Sequence, residues 1–140
     1  MGGTFDHLHQ GHKYLIQTGL SFSKKLVIGL TSDEMLKSKK YASKIEPYQI
    51  RKRNLEKFIR SISSLERVDI VQLDDAYGPP INESDYEGII VSQETYNGAL
   101  KINEIRVEKG YNPLLIIVIP MIKNSNNDII SSTAIRKELN

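Results

Sequence analysis

Apolar residues along this chain fall into short blocks whose spacing alternates between a helical and an extended period. Leu15, Ile16, Gly19 and Leu20 share one face of a segment running from Gly11 to about Phe22, with Lys13 and Gln17 opposite, which predicts a short amphipathic helix. Leu26-Val27-Ile28-Gly29-Leu30 is a continuous apolar run, the pattern of a strand covered on both faces. Thr31, Ser32 and Asp33 then offer N-cap oxygens to a short helix ending in Lys37-Ser38-Lys39-Lys40, and residues 41–46 read as a loop. Pro47 suits a helix start, and Leu55, Phe58, Ile59 and Ile62 follow at helical spacing. Val68 to Leu73 alternates as a strand, which Asp74-Asp75-Ala76-Tyr77-Gly78-Pro79-Pro80 breaks. Gly88 to Ser92 and Leu114 to Ile119 read as buried strands on either side of a helix over about Thr95 to Lys109, whose Leu100, Ile102 and Ile105 are expected in the core. Ile130-Ser131-Ser132-Thr133-Ala134-Ile135-Arg136 predicts a terminal helix with hydroxyls at its N-terminus.

Strands alternating with helices imply an α/β fold with a parallel sheet, doubly wound, and right-handed crossovers. One strand is missing from this pattern. A glycine-rich loop that feeds a helix normally follows a buried strand, yet only Met1 precedes Gly2. The expectation is that a few residues of a first strand are lacking from the sequence.

Length and composition narrow the class. At 140 residues the chain is expected to form a single domain over 1–140. Its 39% apolar and 26% charged residues are ordinary for a globular protein. No apolar run approaches the roughly 18 residues of a membrane span and no signal-peptide pattern is present, so a cytoplasmic location and no membrane partner are expected. Cysteine is absent, which excludes disulfides and thiolate metal sites. Net charge is +2, but nine cations against two glutamates lie between Lys37 and Arg60. That local excess is read as a solvated helix face or the positive wall of a phosphate cleft. Nucleic acid is not expected as a partner, since no aromatic platform interleaves with the charge.

The chemistry concentrates in Gly2-Gly3-Thr4-Phe5-Asp6-His7-Leu8-His9-Gln10-Gly11-His12, which holds all three histidines. His9 and His12 are three apart at a helix start, where free N–H groups and the positive dipole end favour an anion. The pair could be structural, could join a metal site for which the ligand set is poor, or could stabilise phosphoryl oxygens in a transition state. The last reading is preferred. Asp6 is either a Mg²⁺ ligand or a cap of the turn, of which capping is favoured. The serine cluster at Ser131 offers a second anion site of the same physics, with Arg136 one turn on.

Gly3-Thr4-Phe5-Asp6, His9-Gln10-Gly11-His12 and Ile130-Ser131-Ser132-Thr133 with Arg136 resemble the (H/T)xGH and ISSTxxR signatures of the nucleotidyltransferase superfamily. Asp75-Ala76-Tyr77-Gly78-Pro79, the segment Val91 to Gly98, and Leu36-Lys37-Ser38-Lys39 with Pro47-Tyr48 and Arg51 resemble the archaeal and eukaryotic phosphopantetheine adenylyltransferases. The resemblance implies a Rossmann-like sheet of about five strands and transfer of AMP from ATP to 4′-phosphopantetheine. It implies Mg²⁺ with the ATP, and substrates that are small molecules. A sister enzyme using CTP, or nicotinamide or flavin mononucleotide, and a binding module without turnover are the alternatives.

By the same resemblance, Thr4 and Lys39 hold the acceptor phosphate, with Lys37 and Lys40 competing for the lysine's role. His12 and His9 meet the nucleotide phosphates, and Ser131, Ser132 and Thr133 cradle the β- and γ-phosphates. Gly3, Phe5, Gly11, Ser92, Glu94, Thr95 and Arg136 complete the ATP side, while Asp6, Arg51 and Tyr77 are placed on the acceptor side. Arg51 or Arg136 is expected to meet the outgoing pyrophosphate, because the arginine-rich loop of bacterial relatives is replaced here by Ser92-Gln93-Glu94-Thr95.

Overall fold

A computed structural model of the chain describes residues 1–37 and 42–120. Lys39, Lys40 and the terminal segment with Ser131, Ser132, Thr133 and Arg136 lie outside the described residues. Five strands and three α-helices alternate: β1 (Gly2–Gly3), α1 (Gln10–Phe22), β2 (Leu26–Thr31), α2 (Tyr48–Ile62), β3 (Val68–Leu73), β4 (Gly88–Ser92), α3 (Tyr96–Glu108) and β5 (Leu115–Ile119). All ladders are parallel. β1, β2 and β3 form one, with Gly2 opposite Gly29 and Leu26 opposite Val68, and β4 and β5 form the other, with Gly88 opposite Leu115. The expected helix after Thr31 is a single 3₁₀ turn, Glu34–Leu36, and a second such turn, Ala42–Lys44, interrupts the expected loop.

One core joins the two ladders. Ile16 and Leu20 of α1, Leu55 and Ile59 of α2, Leu26, Ile28 and Leu30 of β2 and Val68 of β3 pack together with Ile90 of β4 and Ile119 of β5. Fully burying such a side chain stabilises by roughly 1.5–3 kcal/mol, so this cluster is the main source of the fold's cohesion. Val91, next to Ile90 on β4, points to the opposite face by strand alternation. Val91 is buried, as are Ala99 and Ile102 of α3, which gives the sheet its second helical layer. Of the three expected core positions on that helix Ile102 is buried, while Leu100 is exposed and Ile105 is half-buried, and Ala99 and Arg106 are buried instead. No helix among the described residues is long and apolar enough to cross a membrane.

The ends of α1 depend on other elements. Its last carbonyls have no basic residue of their own helix nearby. Arg67, just before β3, donates instead to the carbonyls of Leu20 at 2.6 Å and Ser23 at 2.7 Å. β1 is held by Gly29 N–H donating to Met1 O and by the Thr31 hydroxyl donating to Gly3 O.

Close approach explains the glycine inside β2. Leu73 lies across it, so that a Cβ built on Gly29 would sit 2.7 Å from both Cγ and Cδ2 of Leu73. Overpacking of that kind typically costs 1–3 kcal/mol. We expect Gly29→Ala to lower the folding free energy by about 1–3 kcal/mol, read as a lower denaturation midpoint at unchanged m-value; an unchanged midpoint would show that Leu73 simply moves aside.

Candidate active site

Strand exits build the site. The segments after β1 (Thr4 to His9), β2 (Thr31 to Lys37), β3 (Asp74 to Gly78) and β4 (Ser92 to Thr95) all leave from the C-terminal edge of parallel strands. Open α/β sheets bind ligands along that edge, where the strand order reverses.

The helix after β1 starts in an unusual way. His9 is the N-cap of α1, with extended backbone, and its Nδ1 accepts the Gly11 N–H at 3.1 Å. His12 Nδ1 accepts the His9 N–H in return at 3.3 Å, closing a capping box. Serine or threonine with glutamate or glutamine normally makes this box. The two rings stack, with centroids 3.7 Å apart and planes 20° from parallel, and Phe5 supports His12 at 5.3 Å. With both Nδ1 atoms accepting backbone N–H groups, each neutral ring carries its proton on Nε2. His9 Nε2 is buried and has no hydrogen-bond partner among the described residues. A buried unpaired donor costs about 1–3 kcal/mol, so this one marks a place where an acceptor belongs.

The loop between β1 and α1 is bent and braced. Phe5 and His7 both adopt left-handed backbone, with φ of 50° and 45°, a strain that functional loops tolerate when their surroundings hold them. The surroundings here are residues 44–46. Asp6, fully buried, accepts the Glu46 N–H at 2.8 Å, and Glu46 Oε1 accepts the His7 N–H at 2.8 Å. His7 Nε2 lies 3.1 Å from Lys44 O and 3.6 Å from Asp6 Oδ2. Asp6, His7 and Glu46 thus present ligand-type atoms within 4.8 Å of one another, but these atoms are engaged in holding the loop. Asp6 therefore works as a brace to a residue 40 positions away, which its sequence reading as a cap of its own turn did not anticipate, and has no exposed surface to offer an acceptor. Phe5, also buried, contributes by propping His12.

Arg51 is likewise not where a surface cation would be. Its side chain is fully buried at the first turn of α2, and four of its five N–H groups are used. Thr4, by contrast, is half-buried at the exit of β1, and Gly3 and Gly11 act through backbone. Ser92 and Thr95 form a second capping box at the exit of β4, beside exposed Glu94. A cavity of about 230 Å³ opens next to them, lined by Gln93, Tyr96 and Val118. Tyr77 is half-buried in a turn where Asp75 accepts the N–H groups of Gly78 at 2.7 Å and Tyr77 at 2.9 Å, which holds the Asp75 carboxyl below its ordinary value. Lys37 is exposed and paired with Glu34 at 2.8 Å, a hydrogen bond that raises its pKa.

Sequence reasoning found the histidine pair but missed its capping role. It also placed Arg51 on the acceptor side or at the outgoing pyrophosphate, whereas its side chain is fully buried and its donors are spent on protein oxygens. The spacing Arg51, Leu55, Ile59 carried the signal, because it puts the arginine on the buried stripe of α2.

A parallel α/β sheet with a histidine-capped helix and braced loop at its C-terminal edge defines a nucleotidyltransferase-type site, and sequence comparison agrees. The chain belongs to the cytidylyltransferase-like family, whose family model matches residues 1–138, and within it to the phosphopantetheine adenylyltransferases. It is 46% identical over 139 residues to the phosphopantetheine adenylyltransferase of Pyrococcus abyssi, covering 99% of this chain and 88% of the relative. The Saccharomyces cerevisiae phosphopantetheine adenylyltransferase is 40% identical over 144 residues, covering 99% of this chain and 47% of that protein. A crystal structure of a protein of unknown function from Archaeoglobus fulgidus aligns with a TM-score of 0.75 at 33% identity, over 87% of this chain and 97% of that one.

The capping box makes a pH prediction. Burial holds the His9 imidazole below its ordinary value of 6.5. The unfolded chain therefore binds more protons as pH falls, and this contribution to stability is complete above about 6.5 and lost as pH drops through the lower folded value. Unfolding midpoints measured from about pH 7.5 down to about 5.5 should decline, and His9→Asn, a cap that does not titrate, should flatten that decline. An identical slope in the variant would remove His9 from the account.

Proposed function

We propose that this chain transfers AMP from ATP to 4′-phosphopantetheine, forming dephospho-CoA and pyrophosphate, as a single cytoplasmic domain over 1–140 acting on small molecules. The observation that carries this reading is the locked histidine pair at the start of α1, in a chain whose relatives bear that enzyme's name. An acceptor oxygen of the phosphopantetheine phosphate attacks the α-phosphorus of ATP. The new O–P bond forms in line with the breaking bond to the β-phosphate, and pyrophosphate leaves with the electron pair. A phosphate is already an anion, so no general base is needed and catalysis consists of positioning and charge stabilisation.

In this reading His12 Nε2–H donates to the α-phosphate as charge builds, and His9 Nε2–H to the adjoining phosphates. Neither ring serves as a proton donor in the acid–base sense, since protonating Nδ1 would break the helix cap. Thr4 and Lys39, the latter in competition with Lys37 and Lys40, hold the acceptor phosphate, with Tyr77 on the same side. Ser92, Glu94 and Thr95 line the adenosine side. Ser131, Ser132, Thr133 and Arg136 are assigned to the β- and γ-phosphates by their motif alone. Mg²⁺ arrives with ATP as its complex. The donor set fits that assignment, because it offers N–H groups to phosphate and keeps the Asp6 and Glu46 carboxylates engaged with backbone, leaving metal ligation to phosphate oxygens and water.

Pyrophosphate release with ATP or CTP against a panel of phosphorylated acceptors tests the assignment: turnover is expected with ATP and 4′-phosphopantetheine, and turnover only with CTP or only with a mononucleotide acceptor would overturn it. His12→Gln separates capping from catalysis, because glutamine keeps the acceptor of the box. We expect kcat to fall on the order of 10²-fold or more with a smaller change in the ATP KM, comparable to loss of an oxyanion donor. An unchanged kcat would count against transition-state stabilisation by this ring.

A further inference from the structure

Arg51 gathers four segments that the sequence keeps far apart. Its Nε donates to Glu46 O at 2.8 Å, Nη1 to Thr4 O at 3.0 Å and to Thr31 O at 2.8 Å, and Nη2 to Asp33 Oδ1 at 2.9 Å. Thr4 follows β1, Thr31 ends β2, Asp33 precedes the 3₁₀ turn that leads toward the lysines, and Glu46 braces the loop. The guanidinium is 0% exposed, whereas the Asp33 side chain is 62% exposed. Asp33 Oδ1 is shared with the N–H of Tyr48, at 2.9 Å. The charge is thus shielded from solvent and substrate alike, while its only ionic partner among the described residues reaches water.

We propose that Arg51 is a positioning residue for the transfer reaction. It fixes the distance between the loop carrying Thr4, His9 and His12 and the segment leading from β2 to the lysines, and it touches neither substrate. The inference rests on the adenylyltransferase reading above. A planar guanidinium suits the task because its donors point outward in a rigid fork and meet several carbonyls at once. An ammonium is a single point with three donors and cannot span the same set. The residue also keeps α2 in step with the site, since Arg51 continues the buried stripe of Leu55 and Ile59. Misplacing reacting groups by about 1 Å costs on the order of 10²-fold in rate, so a residue that never meets the substrate can still govern kcat.

Three variants test this: Arg51→Lys, which keeps charge, Asp33→Asn, which keeps an acceptor for Tyr48 N–H at an exposed position, and the double variant. Arg51→Lys should lower kcat about 10-fold or more while KM for ATP and for phosphopantetheine stays within about 3-fold, the signature of lost alignment. Asp33→Asn should shift kcat in the same sense by less, and the double variant should fall short of the product of the two effects. A rise in the phosphopantetheine KM at constant kcat would overturn the proposal in favour of direct contact, and unchanged kinetics in Asp33→Asn would overturn it if Arg51→Lys fails to fold. Amide NMR shifts of Phe5 and Ser32, whose peptide carbonyls Arg51 holds, provide a readout independent of activity. They should move in Arg51→Lys. If they do not, the proposal fails whatever the enzyme does; if they move but the native protein does not turn over ATP and phosphopantetheine, the functional reading fails and the clamp stands.

Discussion

The first turn of α1 has backbone N–H groups with no intrahelical partner, and in this protein two imidazoles satisfy them. Satisfying them uses both Nδ1 atoms, which sets both tautomers and aims two Nε2–H groups away from the helix. In the proposed reaction, folding and chemistry are therefore one event at this site. The requirement that a helix start be capped is also what orients and stacks the two rings. In the proposed reaction a serine would cap as well but would offer no imidazole N–H to a phosphate.

The histidines can hold that geometry only if the loop before them is held. Two non-glycine residues in left-handed backbone, Phe5 and His7, are kept there by the exchange of hydrogen bonds among Asp6, His7 and Glu46. Glu46 in turn is tied to α2 through its carbonyl and Arg51. Charge that looks like a surface patch in the sequence divides, among the described residues, into the exposed Lys37, Arg53, Lys57 and Arg60, the half-buried Lys44 and Lys52, and the buried Arg51, which acts as a strut. Arg106 repeats the device at the far end of α3, where it donates to five carbonyls, those of Pro80, Glu83, Ser84, Tyr86 and Asn112, and secures the long connection between β3 and β4.

Elements with dense apolar spacing were legible from sequence. β2, α2, β3, β4 and β5 fall within a residue or two of their expected bounds, because each carries enough apolar side chains to declare its period. β1 did not read as a strand: two glycines have no side chains from which to read a period, and they pair with β2 only because Leu30 and Gly29 lie beside them. α3 was placed correctly but rotated, since apolar residues surround it and its spacing does not single out one face. The histidine pair at the start of α1 was legible from residue type and spacing, and the family from its ordered motifs.

Sequence by itself determined the alternation of strands and helices and the family, because periodicity and motif are properties of neighbours along the chain. Tertiary structure alone decided what Asp6, Phe5, His9 and Arg51 do. Asp6 and Arg51 are polar groups whose roles depend on whether solvent or backbone meets them, and that is set by contacts between residues about 20 to 50 positions apart, from Thr31–Arg51 to Asp6–Glu46 and Thr4–Arg51. The capping box is local in sequence, yet the burial of its unpartnered His9 Nε2 is a property of the fold that spacing does not carry. Desolvation, which no spacing encodes, turns these particular side chains from candidates into a brace, a prop, a cap and a strut.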